Sequence, residues 1–365
     1  MVESCDVGSL PFIGDYKKFL DGASRSGTCA DPETQYFEKS VVESFLDKTE
    51  AGVAVPNYPQ FRDMNGMLLE MISGVDKVKS GYMETGVVSL IQGKERIPEV
   101  EVIRKCSREI HQRLGKPARL KVCIAGPYTL ASSFVYKDKG IFSRIGSVIS
   151  QIVENSIFSE KHVKVEMVSV DEPAFGLLDD PLMDRDSEGR ENLRASWESI
   201  FRKVASKNVQ TCMHLHSTAD ELFWGVKSLN TIESHADDPL YHSKKTKEYL
   251  ECTDKSLKAS ICTTDFDKLI RNRVTASWNG KVDQLAVNQR VADAWKEIYS
   301  GKLDPTIFIE DANSMSQHLT AILERFDSCR VPFAGPECGL KGFPTYQCAI
   351  ECLRRASEAI KKPRD

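Results

Sequence analysis

The chain has 365 residues, 41% of them hydrophobic, enough for one large core or two modest ones. Its 49 Lys and Arg against 53 Asp and Glu give a formal charge of −4, which removes the electrostatic case for nucleic acid or an anionic membrane and favours a small molecule or a protein as partner. The opening MVESCDVGSLPFIGD has no basic stretch followed by an apolar one, and no apolar run is long enough to span a bilayer, so a cytoplasmic protein without membrane contact is expected.

In chain order, short apolar runs that end in Gly, Pro or an acid alternate with longer amphipathic stretches, the pattern of repeated β/α units. A strand is predicted over 5–11 (CDVGSLP), a helix over 33–49, and strands over 51–57 (AGVAVPN) and 86–93 (GVVSLIQG). A helix over 100–115 leads to a strand over 120–127 (LKVCIAGP), and a helix over 146–163 to a strand over 165–173 (VEMVSVDEP). A helix over 189–205 precedes strands over 208–216 (NVQTCMHLH), 228–234 (SLNTIES) and 257–265 (LKASICTTD). A helix over 314–326, a strand over 331–337 (VPFAGPE) and a helix over 344–362 complete the chain, the last with Pro344 expected in its first turn and lysines at its end. Nine strands are one too many for a barrel of eight, and 86–93 is assigned to an accessory hairpin. The expected fold is therefore α/β: a single (β/α)8 TIM barrel over 1–365 with a small hairpin, since no repeat, low-complexity tract or Gly/Ser linker divides the chain.

In such barrels functional groups sit where strands end. Ser9, Asp171, Glu172, His214, His216, Glu233, Asp265 and Cys338 all fall at predicted strand ends. Cys212, His214 and His216 alternate along one extended segment and so share a face, and two of the chain's seven histidines are among them. Zinc accepts Cys sulfur, His nitrogen and carboxylate oxygen in four-coordinate sites. His214, His216 or Cys212, Glu233 and Cys338 could supply them, although a lone His or Cys at a strand end also occurs as an ordinary core residue. Glu233 ends the apolar run LNTIE, where a carboxylate is costly unless paired or coordinated. Adjacent Asp171 and Glu172 must point to opposite faces, one towards the mouth and the other towards the helix layer. The eleven cysteines, an odd number without dense spacing, are expected to be reduced, with one or two on a metal.

Taken together and in order, VGSLP (7–11), AGPYTL (125–130), VDEPA (170–174), MHLH (213–216), TIES (231–234) and GPECGLK (335–341) resemble the catalytic barrel of cobalamin-independent methionine synthase, in its short single-barrel form. The resemblance implies methyl transfer to the thiol of homocysteine, with zinc lowering the thiol's pKa. It matches Glu233 and Cys338 to two zinc ligands. The family's His-x-Cys pair becomes either His214 with His216 or, reversed, Cys212 with His214; the first keeps the spacing to the following loop. Gly8 and Ser9 match the turn that holds the amino-acid carboxylate, and Asp171 matches the acid on its ammonium group, with Glu172 beside it. Gln60, in VPNYPQFRDM, stands where the family has a second polar contact.

Two departures bear on the methyl donor. Ser133 or a neighbour replaces a tryptophan that packs on folate, and Asp265 and Asp267 stand where a histidine would donate a proton. The resemblance so altered implies Asp171 and Asp265 as catalytic acids and a methylated corrinoid, presented by a partner protein, as donor in place of methyl-tetrahydrofolate. With zinc, two His, one Glu and one Cys the site would be formally neutral. Two other readings compete: corrinoid-dependent methyl transfer to another thiol such as coenzyme M, and a metal-binding barrel without catalysis.

Overall fold

The computed structural model describes residues 1–27, 31–276, 278 and 283–362. Seven parallel strands form one strongly curled sheet in the order β1 (Glu3–Ser4), β9 (Phe333–Pro336), β8 (Ser256–Cys262), β7 (Thr231–Glu233), β6 (Gln210–Leu215), β5 (Val163–Glu172) and β4 (Ala118–Ala125). The remaining two, β2 (Ile72–Val78) and β3 (Gly81–Leu90), make a separate antiparallel hairpin. A hairpin is thus present where an accessory one is expected, though its second strand starts at Gly81 and ends at Leu90, so that only 86–90 of the expected strand belongs to it.

The predicted strand over 51–57 forms no ladder. Residues 53–58 run between the two edges of the sheet and touch each through a single parallel bridge, Cys5 with Val55 and Asn57 with Lys121. The amide of Val55 donates to the Ser4 carbonyl (3.0 Å), and that of Lys121 to the Pro56 carbonyl (2.8 Å). Pro56, lacking an N–H, sits between the two bridges, which is a physical reason for bridges instead of a ladder. A curled parallel sheet with both edges approached by one segment is compatible with a TIM barrel.

Helices cover the outer face, and their starts are set by side-chain caps. Asp31 caps Pro32–Glu50, Ser187 caps Glu188–Ala205, Asp311 caps Ala312–Phe326 and Thr345 caps Tyr346–Lys361, each side chain accepting from an amide two or three residues on. Pro344 therefore precedes the last helix instead of lying in its first turn. The stretch over 100–115 is two helices, Pro98–Lys105 and Ser107–Leu114, broken at Cys106. The helix expected over 146–163 lies earlier, at Ile141–Ser156. Tyr16–Arg25, Lys244–Thr253 and Gln284–Tyr299 are helices that the apolar pattern alone does not announce, because polar caps at Asp15, Ser243 and Asp283 fix their starts and their buried stripes are narrow. No described helix is long and apolar enough to cross a membrane.

Strand alternation divides the core. Along β5, Val168 and Val170 pack into the large apolar cluster shared with the helices, whereas Met167 belongs to a second cluster with Cys5, Val55, Cys212 and Phe333. The second cluster lies inside the curl of the sheet, and the side chains one step further along the strands form the floor of the site.

Candidate metal centre at the strand ends

His214 lies within β6, His216 just past its end, His235 two residues beyond the last residue of β7, and Cys338 two beyond the last of β9. One ligand atom from each of the four lies within 4.8 Å of every other. The Cys338 Sγ is 3.5 Å from His216 Nε2, and the ring centroids of His216 and His235 are 4.3 Å apart. His214 is buried, and the other three are partly exposed, so the group opens outward at one side.

Two observations test whether these residues suit a metal. Among the described residues, Nε2 of His214 and Nε2 of His235 are buried without a hydrogen-bond partner, which is costly for such groups unless something else satisfies them, and His214 Nδ1 has only the Glu233 carboxylate at ion-pair distance. The donor set, three imidazoles and one thiolate, is a combination zinc binds in tetrahedral sites. The electrostatics agree. Burial alone would push the Cys338 thiol up, yet the imidazoles of His214, His216 and His235 pull it down to about 3. Burial disfavours a charged His214, but contacts with Cys338 and Glu233 raise it to about 10. A site that favours thiolate on Cys338 is one that favours a bound cation.

Glu233 and Cys212, both expected among the ligands, are placed elsewhere. The fully buried Glu233 carboxylate lies between two equally buried lysines, 3.1 Å from Lys121 Nζ through one oxygen and paired with Lys258 Nζ through the other. It also approaches His214 Nδ1 at 3.4 Å. Burial would raise its pKa, but Lys121 and Lys258 hold it well below the carboxylate range. Cys212 lies one layer deeper in the cluster with Met167 and Phe333, and burial pushes its thiol well above the ordinary value. Of the two alternatives for the paired ligands, the structure brings His216 to the group and leaves Cys212 out.

The residues matched to an amino-acid site sit beside this group. Gly8 adopts φ +142°, and a Cβ there would fall 2.0 Å from Asn57 Nδ2 and 2.4 Å from Gln60 Oε1, so the turn accepts only glycine. Ser9 bridges to Gln60, and its carbonyl accepts from the Leu340 amide (2.8 Å) in the turn that carries Cys338. A Cβ on Gly339 would meet Ser9 Oγ at 1.9 Å, which explains the glycine after Cys338. Asp171, buried and facing inward, accepts from Cys123 Sγ (2.6 Å) and Ser169 Oγ (2.8 Å), and its Cα pairs in register with that of His214. Burial raises its pKa, with His214 and Lys121 opposing.

Glu172 and Asp265 stand apart. Glu172 points outward, where its carboxylate accepts from the amides of Tyr128 (3.0 Å) and Thr129 (2.7 Å) and from the Trp197 indole (2.8 Å). Its oxygens are committed to the helix layer, and a substrate-binding role is not what this geometry provides. Asp265 is exposed and accepts from the Lys268 amide (3.1 Å), at the start of the helix Phe266–Ala276. It is a helix cap outside the buried cluster.

His235, Lys121, Lys258 and Lys48 escaped the sequence reading. His235 stands two residues after Glu233, where an extended chain repeats a face. Lys121 and Lys258 each interrupt an apolar strand, a sign of a paired buried charge. Lys48 Nζ reaches Asp6 (2.7 Å) and the carbonyls of Gly8 (2.8 Å) and Asn57 (3.2 Å), pinning the turn that carries Gly8 and Ser9 to the segment before Gln60. Ten cysteines are free thiols, and the eleventh, Cys29, lies outside the described residues. A cavity of about 600 Å³, lined by Arg62, Met67, Glu70 and Lys105 among others, contains none of these site residues.

No known family's sequence pattern matches the chain, and no curated protein matches it by sequence. Its fold is nevertheless shared with solved structures. A B12-independent methionine synthase from Shewanella sp. W3-18-1, in complex with selenomethionine, is similar over 98% of this chain and 96% of that one, with a TM-score of 0.57 at 15% identity. A Listeria monocytogenes protein described as a vitamin-B12-independent methionine synthase is similar over the full length of both chains, with a TM-score of 0.56 at 16% identity. At such identities the likeness is one of fold.

Proposed function

We propose that the chain is a zinc-dependent methyltransferase that moves a methyl group to the thiol of homocysteine, forming methionine, with a methylated corrinoid as donor. The observation that carries this reading is the convergence of His214, His216, His235 and Cys338 at the strand ends, with buried imidazole nitrogens left unpartnered. Support at the level of fold comes from the two structural neighbours. On the same reading, residues 53–58 serve as the eighth strand of a single TIM barrel.

His214, His216, His235 and Cys338 would hold the zinc. Bound there, with the substrate thiol added as a fifth neighbour on the side where the group is open, zinc would lower the thiol's pKa so that thiolate, the nucleophile, exists at neutral pH. Gly8 and Ser9 would receive the substrate carboxylate on backbone of fixed conformation. Asp171, one strand from His214, would accept the ammonium group, and Gln60 would contact the same end. Ser169 and Cys123 fix the carboxylate of Asp171 from behind.

The choice of donor rests on charge and shape. Three histidines and one thiolate around a divalent zinc leave one formal positive charge, more than a set with a carboxylate. A more positive site forms the substrate thiolate more readily but leaves it less nucleophilic, which suits an activated methyl donor. No aromatic side chain stands at Ser133, whose hydroxyl lies 3.5 Å from Asn65 Nδ2. Asp265, exposed and engaged as a cap, is poorly placed to donate a proton to a folate.

The test is methyl transfer by the zinc-loaded protein. Homocysteine should be methylated from methylcobalamin and not from methyl-tetrahydrofolate. Efficient turnover with methyl-tetrahydrofolate would overturn the donor, preference for coenzyme M would overturn the acceptor, and no transfer to any thiol despite one bound zinc would overturn the enzyme.

A further inference from the structure

We propose that Glu233 is a positioning residue and not a metal ligand: clamped between Lys121 and Lys258, it fixes the His214 ring so that Nε2 faces the metal. This inference rests on the metal site of the proposed function and concerns how that site is held.

Three features of the interior lead to it. Glu233, Lys121 and Lys258 are all completely buried, and both carboxylate oxygens are engaged, one by each ammonium group. Moving the carboxylate onto a metal would strip two buried cations of their common counter-charge, which a low-dielectric interior penalises heavily. The lysines have little else. Lys258 Nζ donates to the Pro336 carbonyl (2.9 Å), and among the described side chains Lys121 Nζ has Glu233 alone within hydrogen-bond distance.

The oxygen shared with Lys121 is also the one facing His214 Nδ1 at 3.4 Å. At ion-pair distance, short of hydrogen-bond geometry, a carboxylate facing one imidazole nitrogen favours a proton on that nitrogen and so orients the ring and raises the basicity of the other nitrogen. With Nδ1 turned to Glu233, Nε2 is the nitrogen left for the metal. The Cα register of β6 with β7 sets this pairing, since His214 lies opposite Glu233. His235, two residues on, then presents its side chain at the position a carboxylate ligand would otherwise occupy, and its Nε2 is buried without a partner. Lys258 also couples the device to Cys338, because the carbonyl it binds belongs to Pro336, two residues before that ligand.

The test uses zinc and cobalt(II) alone, with no methyl donor. E233Q should lower zinc affinity by about 10- to 100-fold, measured against a chromogenic chelator, while the ligand-field and thiolate-to-cobalt bands of the cobalt(II) protein keep their positions. H235A should shift those bands, as loss of a ligand does. Band shifts in E233Q equal to those of a ligand loss, with H235A spectrally unchanged, would overturn the proposal, as would an unaltered zinc affinity in E233Q. If E233Q does not fold, E233Q/K258M, which preserves the net charge of the interior, is read by the same bands. A wild-type protein that binds no zinc would instead overturn the proposed function, so the two failures are distinct.

Discussion

Glu172 and Glu233 lie on β5 and β7, the strands that flank β6 and His214, and both are wholly buried. Their surroundings differ in kind. Glu172 faces the helices and receives three neutral donors, and burial pushes its carboxyl up to about 7 despite them. Glu233 faces inward and receives two ammonium groups, which reverse the effect of burial and keep it ionised. Hydrogen bonds from neutral groups hold a helix in place with a carboxylate; cationic partners keep a buried charge available to act on a neighbour. The difference places the paired, ionised carboxylate on the inward face, beside the proposed metal site.

The sharpest way to break that division is at the metal ligands. Cys338→Ala should reduce zinc affinity by about 10²- to 10³-fold, since a structural zinc's binding free energy shared among four ligands is roughly 3–4 kcal/mol each. His216→Ala should come close to this in the same chelator competition. Retention of wild-type zinc affinity by either variant would show that the four groups do not form one site.

Next comes pH. The folded-state pKa of Glu172 is raised above its ordinary value, so its contribution to stability is full below about pH 4.5 and is lost as pH rises to about 7. Denaturant unfolding of wild type minus that of E172Q should fall by about 3 kcal/mol across this window. Zinc affinity of E172Q should stay unchanged. A difference independent of pH would contradict the assignment of Glu172 to neutral donors.

The smallest effects belong to residues the structure sets aside. Cys212→Ala should cost about 1 kcal/mol of stability for a lost buried sulfur, with zinc content intact. Asp265→Ala should cost about 0.5–1 kcal/mol as a lost helix cap, with methyl transfer unchanged. A tenfold loss of transfer in the Asp265 variant would restore it to the reaction.

Much of this arrangement is legible in the sequence, for identifiable reasons. Alternation in MHLH and the Gly-bounded turn of GPECGLK fix His214, His216 and Cys338 at strand ends, because strand geometry alone decides which side chains share a face. Alternation also requires that Asp171 and Glu172 part company. It does not say which turns inward; that depends on the register with β6, which pairs Asp171 with His214. Glu233 was legible as a carboxylate needing a partner. Its partners, Lys121 and Lys258, come from strands 112 and 25 positions away in the chain, and only the curl of the sheet brings them together. His235 lies past the apolar run that ends at Glu233, so strand periodicity does not mark it. The break at Cys106 and the missing ladder at Pro56 reflect local backbone geometry that apolar periodicity does not encode.

X-ray absorption at the zinc edge, on the zinc-loaded protein with and without homocysteine, tests the proposed thiol-activating site most directly. One sulfur and three nitrogen neighbours are expected without the thiol, and a second sulfur neighbour once homocysteine is added. An unchanged sulfur count on saturation with homocysteine would contradict a site that binds and activates the substrate thiol.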